Sequence, residues 1–142
     1  MTSVAVAVTT ALTFVWLGMV LAISFLEAPL KFGAPGVTLP IGLGIGRRVF
    51  KALNAVEAVL ATAIVVALVV GAPGPGATAA LVVAVVVLVA QLALVRPRLN
   101  KQSDAVLSGY EGPRSHAHLW YVGTESVKVI ALLVAGILAL AG

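Results

Sequence analysis

The most regular feature of the sequence is a succession of four apolar stretches, separated by segments that are more polar or rich in proline and glycine. Each stretch is long enough to cross the hydrocarbon core of a bilayer, which takes about 20 residues of helix. We expect spans at residues 4–27, 48–70, 78–95 and 117–141, with loops at 28–47 and 96–116. The pattern predicts an all-α fold: one integral membrane domain, built as a bundle of four transmembrane helices.

Composition supports a membrane setting. The 142 residues are 61% hydrophobic and only 10% charged, with a mean hydropathy of +1.16, whereas soluble domains carry about 25% charged residues. The absence of cysteine excludes disulfides and thiolate metal sites within the chain. The first stretch follows no basic region and precedes no small-residue cleavage site, so we expect it to be a retained span rather than a signal peptide.

Proline and glycine mark the predicted ends of the spans. Pro29 and Pro97 follow the first and third stretches, and we expect each to end its helix. The segment 31–51 contains two prolines and several glycines, which argues against a continuous helix. Its glycines do not form a phosphate loop, because position 47 is Arg47 and no Gly-Lys-Ser/Thr follows.

The basic residues are confined to two loops. The loops between the first and second spans and between the third and fourth, taken together with the first turn of the second span, hold eight of the nine Lys and Arg, and the middle turn and both tails hold none. The positive-inside rule then predicts cytoplasmic basic loops and extracytoplasmic termini in the cell (inner or plasma) membrane. A net charge of +4 distributed in this way indicates topology, and we expect no nucleic-acid partner.

A weak internal repeat runs through the chain at an offset of 68 residues. Leu26 and Pro29 match Leu94 and Pro97, and Glu57 matches Glu125. The repeat predicts two parallel hairpins, each with a glutamate about 13 Å along its returning helix. Binding sites in such proteins lie at the interface between the repeats.

The fourth span opens with a polar face on which His118, Tyr121, Glu125 and Lys128 follow at helical spacing. We expect the charged pair to meet Glu57 in the interior, because unpaired charges in a bilayer are costly. The other polar residues predicted around this cluster are Asn54, Gln91 and Thr124. Two carboxylates beside one ammonium favour one glutamate as the neutral acid, which suits proton-coupled transport. A permanently paired structural cluster is the alternative.

Four further polar residues are predicted near the inner mouth of a pathway. Glu27 and Lys31 stand four apart at the end of the first span, and His116 and His118 open the fourth. The alternative for the first pair is that both side chains extend to the headgroups. For the histidines it is an interfacial position beside Trp120. We expect no metal or haem at the histidines, since no third ligand is close.

No nucleophile has a base at the spacing that catalysis needs, so we expect no enzymatic site and no cofactor. Ser126 follows Glu125 directly, and adjacent helical residues diverge by about 100°.

The motifs EAPLKF (27–32), GRRVFKALNAVE (46–57) and RPRLNKQ leading to HLWYV resemble the transmembrane protein 205-like family of small four-span membrane proteins. The resemblance covers nearly the whole chain. Ala28, Pro29 and Phe32 fit the family's turn after the first span, and His118 fits its histidine at the start of the fourth. It implies a four-span membrane protein, linked in some members to drug resistance and export. Glu57 and Glu125 are not features of the family pattern.

We expect a small transporter or channel that uses the buried carboxylates to couple transport to protons or cations. The first alternative is a non-enzymatic accessory subunit of a larger membrane complex. The second is a membrane protein that binds a lipid or quinone. The predicted partners are the bilayer and either further copies of the chain or other membrane proteins. A bundle of this size has little interior, and small residues on the second and fourth spans would allow close helix contacts.

Overall fold

The structure is a computed structural model that describes residues 3–109 and 116–142. All regular structure in these residues is helical. Four helices are long and apolar enough to cross a membrane, as expected of a multi-pass membrane protein: α1 (Val4–Lys31), α2 (Leu39–Val70), α3 (Pro75–Leu107) and α4 (Ala117–Ala141). The prediction of an all-α four-helix bundle is therefore confirmed.

The four helices form a ring in which α1 lies beside α2 and α4, and α4 lies beside α3. The helix contacts around this ring are unequal: α2 and α3 touch only slightly, whereas α1 packs closely on α4. Away from the loops at 32–38 and 108–116, the centre is a tight apolar core that includes Trp16, Ile64, Leu81 and Leu132. Polar side chains lie in the centre nearer those loops, in the half that we call the basic end.

Helices α1 and α3 do not stop at their prolines, contrary to the sequence prediction. Each contains a π-helical turn, at Leu21–Glu27 and Gln91–Val95, and then continues as α-helix through Pro29 or Pro97. In both turns the residue before the proline donates to a carbonyl five residues back: Ala28 to Ile23, and Arg96 to Gln91. A wider turn makes room for the proline ring, which would clash with the carbonyl four residues back in a regular helix.

Helix α2 begins at Leu39, so much of the predicted loop 28–47 is helical. The Thr38 hydroxyl accepts from the Ile41 N–H as an N-cap, and Pro40 lies in the first turn, where its missing N–H costs nothing. A Cβ at Gly42 would lie 2.2 Å from the Phe32 ring. Gly42 therefore lets the ring of Phe32, just after the end of α1, lie closely against α2.

The second predicted loop, 96–116, is also partly helical, since α3 continues to Leu107. Gly109, just after the end of α3, adopts a positive φ, which a right-handed helix does not contain. Residues 110–115 of the predicted loop lie outside the described residues. The ion pair between Arg47 and Asp104 fastens the extended end of α3 to α2.

Candidate functional site

Lys128 is the centre of the polar cluster. Its side chain is fully buried, and Nζ lies 2.5 Å from a carboxylate oxygen of Glu57 and 2.5 Å from one of Glu125. It also donates to Gln91 Oε1 at 2.8 Å. An ammonium has three N–H donors, and each has an acceptor here. The buried charge is thus fully hydrogen-bonded by side chains of α2, α3 and α4.

Glu57 is held by two donors on the same oxygen. Besides Lys128, the indole Nε1 of Trp16 donates to Glu57 Oε2 at 2.8 Å. Trp16 is fully buried and Glu57 is 1% exposed. The next turns of α2 continue into the apolar core with Leu60 and Ile64. Glu57 is therefore enclosed on the side of the core.

Glu125 has a more polar environment. Ser24 donates to its Oε2 at 2.6 Å, and the Tyr121 hydroxyl donates to the same oxygen. Ser24 and Tyr121 also lie 2.9 Å apart, oxygen to oxygen. Gln91 Nε2 lies 3.3 Å from Glu125 Oε1, the oxygen that faces Lys128, and 3.0 Å from Thr124 Oγ1. One oxygen of Glu125 thus faces the charged cluster and the other faces hydroxyls.

Helical spacing explains how the sequence brings these groups together. Tyr121, Glu125 and Lys128 lie on the inner face of α4, at offsets of four and three residues. Gln91 is the first residue of the π-helical turn in α3. Trp16 and Ser24 stand two turns apart on α1, so that each meets a different glutamate.

A cavity of about 680 Å³ occupies the basic end of the bundle. All four helices contribute to its wall: residues 24–32 of α1, 39–50 of α2, 96–106 of α3 and 118–125 of α4. Glu125 lies furthest along α4 among the lining residues, and its partners Ser24 and Tyr121 line the cavity too. Neither Glu57 nor Lys128 belongs to the wall. Glu125 alone of the three charges is placed between the cluster and the cavity.

Of the residues that the structure describes, three with cationic side chains line the cavity: Lys31, Arg47 and Arg96. The guanidinium carbon of Arg96 lies 5.0 Å from the ring centroid of Phe50 and 5.1 Å from that of Tyr121. The two rings meet edge to face, 5.6 Å apart. Since a cation within about 6 Å of an aromatic centroid is attracted to the ring, this pair of rings fixes the position of Arg96.

The remaining predicted residues occupy different places. Lys31 and His118 line the cavity, whereas Glu27 and His116 do not. Glu27 Oε1 lies 3.6 Å from Lys31 Nζ, and His116 borders a separate shallow groove on α4. Asn54 is half-buried one turn before Glu57 and does not bond to the described cluster.

Three residues of the site were missed from the sequence. They are Trp16, Ser24 and Arg96, none of which the sequence analysis assigns to the polar cluster. A spacing of eight residues places Trp16 and Ser24 on one face of α1. This spacing is the sequence signal from which both could be assigned to the site. Nothing in the sequence marks Arg96, since its position depends on the helix continuing past Pro97.

Among residues 3–109 and 116–142, no group of three metal-binding side chains is close enough to hold an ion. The arrangement contains groups of acid–base character instead: two carboxylates, two hydroxyls and a buried ammonium in one connected hydrogen-bond network.

Comparisons with protein-family models, curated proteins and solved structures gave no match. The resemblance to the transmembrane protein 205-like family therefore stays a prediction.

Proposed function

We propose that the chain is a multi-pass protein of the cell (inner or plasma) membrane that couples transport to proton binding at Glu125. The distribution of side chains supports insertion in a bilayer. Val59, Val69 and Ile130 are 68%, 83% and 62% exposed, while the charged cluster is buried. Apolar side chains facing outwards and charges facing inwards suit a lipid solvent. Segments 28–51 and 96–116 hold eight of the nine Lys and Arg of the sequence, so the cavity opens to the cytoplasm and both termini lie outside.

The proposal includes an internal repeat. The two π-helical turns end at Glu27 and Val95, which are 68 residues apart, the offset of the sequence repeat. The hydrogen bonds that close these turns are also 68 residues apart. This agreement supports two parallel hairpins, α1–α2 and α3–α4, related by an axis along the membrane normal. Glu57 and Glu125 are then equivalent positions in the two hairpins.

The observation that carries the proposed function is the position of Glu125 between the cavity and Lys128. Three unpaired charges at this depth would cost about 8–10 kcal/mol on insertion scales. Lys128 offsets one carboxylate and leaves the cluster with a net charge of −1. Binding one proton makes the cluster neutral. Glu125 is the carboxyl where that proton binds, because its hydroxyl partners line the cavity.

Proton binding at Glu125 changes the ion pairs of Lys128, and these ion pairs connect the helices. When Glu125 is ionised, the ammonium is shared between two carboxylates at 2.5 Å. When Glu125 is neutral, Lys128 keeps a full ion pair with Glu57 alone. This change alters the ion pair between Lys128 on α4 and Glu57 on α2. It therefore alters the attachment of α2 to the α3–α4 side of the ring, where the helices touch least. A proton would thereby favour a different packing of the hairpins, which is what coupled transport requires.

Proton flux into liposomes tests the proposal. Purified protein is reconstituted with a pH-sensitive dye inside, and a potassium diffusion potential drives the flux. Wild-type protein should acidify the lumen faster than empty liposomes, and Glu125→Gln should fall to the empty-liposome rate. The matched control is Ser126→Ala, the neighbouring position, whose hydroxyl bonds only to its own helix at Val122; this variant should keep the wild-type rate.

Two outcomes would contradict the proposal. Flux by Glu125→Gln at the wild-type rate would exclude Glu125 as the proton-binding group. Wild-type protein that conducts nothing alone and co-migrates with other subunits would favour the accessory-subunit alternative, in which the paired cluster only holds the helices together.

A further inference from the structure

Arg96 is the least satisfied cation of the cavity. Its guanidinium carbon lies 5.0 Å and 5.1 Å from the ring centroids of Phe50 and Tyr121, and these contacts supply no oxygen acceptor to its N–H groups. Within residues 3–109 and 116–142, no carboxylate lies within 4 Å of it, since the described ion pairs involve other cations. Guanidinium has five N–H donors in a planar fork that matches a carboxylate or phosphate.

The rest of the cavity is also electropositive. Lys31 has a side chain only 6% exposed, and its carboxylate neighbour Glu27 is 3.6 Å away and outside the cavity wall. Arg47 bridges to Asp104, which lies outside the wall as well. Among the described residues of the wall, Glu125 is the only anionic side chain, and it is paired with Lys128. A small anion entering this space meets three cations and one carboxylate that is already paired.

Most of the remaining wall is apolar. Its aromatic and aliphatic side chains come from α1 and the residue after it, from α2 and from α3: Phe25, Phe32, Leu39, Leu43, Phe50, Leu99 and Val106. A volume of about 680 Å³ lies within the range of small-molecule sites, about 300–1,000 Å³. Such a wall suits the hydrocarbon or aromatic part of a ligand, beside a cationic position for its head.

We propose that the cavity binds an amphiphilic anion, whose carboxylate or phosphate is held by the Arg96 fork and whose acyl or aryl body lies against the apolar wall. The ring of Tyr121 contacts Arg96 and its hydroxyl donates to Glu125, so the anion and the proton-binding carboxyl share one cavity. That such an anion is the transported substrate rests on the proposed function, whereas its binding is measured without measuring flux.

Fluorescence titration tests the site directly. The protein is placed in phosphatidylcholine nanodiscs and titrated with dansylaminoundecanoate and with the uncharged methyl ester of this probe, subtracting the signal of empty nanodiscs. The acid should bind wild-type protein about tenfold more tightly than the ester or better, since hydrogen bonds to charged groups are the stronger class. This comparison needs no variant.

Variants then assign the head position. Arg96→Gln should weaken binding of the acid about tenfold and leave binding of the ester unchanged. Arg96→Lys should weaken it less, because it keeps the charge and loses the fork. The control is Arg98→Gln, an exposed arginine two residues away that does not line the cavity; it should bind as wild type. Elution in size-exclusion chromatography confirms that each variant is folded.

Adding phosphatidylglycerol to the nanodiscs distinguishes the two sources of such an anion. Competition with the probe would identify a lipid headgroup as a ligand, and undiminished binding would identify a free amphiphile; both support an anion site. Equal affinity of wild-type protein for the acid and the ester would overturn the proposal. Wild-type affinity of a folded Arg96→Gln variant would overturn it as well. Probe binding without proton flux would keep the site and remove the proposed transport.

Discussion

Glu57 and Glu125 pair with the same lysine, Lys128, and have different surroundings. Both are 1% exposed, and both lie 2.5 Å from the Nζ of Lys128. The second donor to Glu57 is the Trp16 indole, next to the apolar core. The second and third donors to Glu125 are the hydroxyls of Ser24 and Tyr121, which line the cavity.

The difference follows from how the ring closes. Helix α1 packs against both α2 and α4, so it can present a large indole to Glu57 and a small hydroxyl to Glu125. Helices α2 and α3 touch only slightly, and their loop-side ends leave space for the cavity. Equal burial therefore does not mean equal access: of the two carboxylates, only Glu125 belongs to the cavity wall.

The largest expected contrast between the two glutamates is in chemical accessibility. A water-soluble carbodiimide enters through the cavity, so it should label Glu125 and leave Glu57 unmodified. Peptide mass spectrometry of protein labelled in detergent locates the adduct. Exposed Asp104 is a positive control for the reagent. Equal labelling of both glutamates would break the comparison, because it would place Glu57 in contact with water too.

Removing the shared cation should have the largest effect on stability. Lys128→Met leaves both carboxylates buried without a counter-ion and should destabilise the protein by about 3–5 kcal/mol. Unfolding in mixed detergent micelles measures the loss. Adding Glu57→Gln and Glu125→Gln should recover part of it, since the uncompensated charges are then gone.

Lys51→Met is the matched control for this substitution, because Lys51 is exposed on α2 and belongs to no described ion pair. Its effect should stay within about 0.5 kcal/mol. If Lys128→Met unfolded like wild type, the cluster would contribute nothing to holding the helices together.

The fold is well predicted from the sequence because the hydrophobic pattern that marks each span extends over a long stretch of residues. Four apolar runs, each about a bilayer thick, leave little choice of architecture. The predicted convergence of Glu57, Glu125 and Lys128 on one point rested on the cost of unpaired buried charge, and the three side chains do meet in the structure. Helix ends were less predictable, because Pro29 and Pro97 are accommodated by π-helical turns that no residue pattern marked.

The cavity could not be predicted for the same reason. It exists because α2 begins at Leu39 and α3 continues to Leu107, so that both helices project beyond the predicted spans and enclose space at the basic end. Arg96 becomes an interior residue only through that extension. The partners Trp16 and Ser24 depend on the rotation of α1, which a helix with apolar side chains all round leaves unspecified.

The smallest expected effect separates the hydrogen bonds of the two glutamates. Trp16→Phe removes the indole donor to Glu57 in a closed environment and should cost about 1.5–3 kcal/mol, as for bonds to charged groups. Tyr121→Phe removes one of two hydroxyl donors to Glu125 beside a cavity where water can replace it, and should cost about 0.5–1.5 kcal/mol. Trp120→Phe, at an indole that is 62% exposed, controls for loss of the ring. Unfolding in mixed micelles measures all three. If Tyr121→Phe cost as much as Trp16→Phe, water would have no access to Glu125, and the two carboxylates would be equally enclosed.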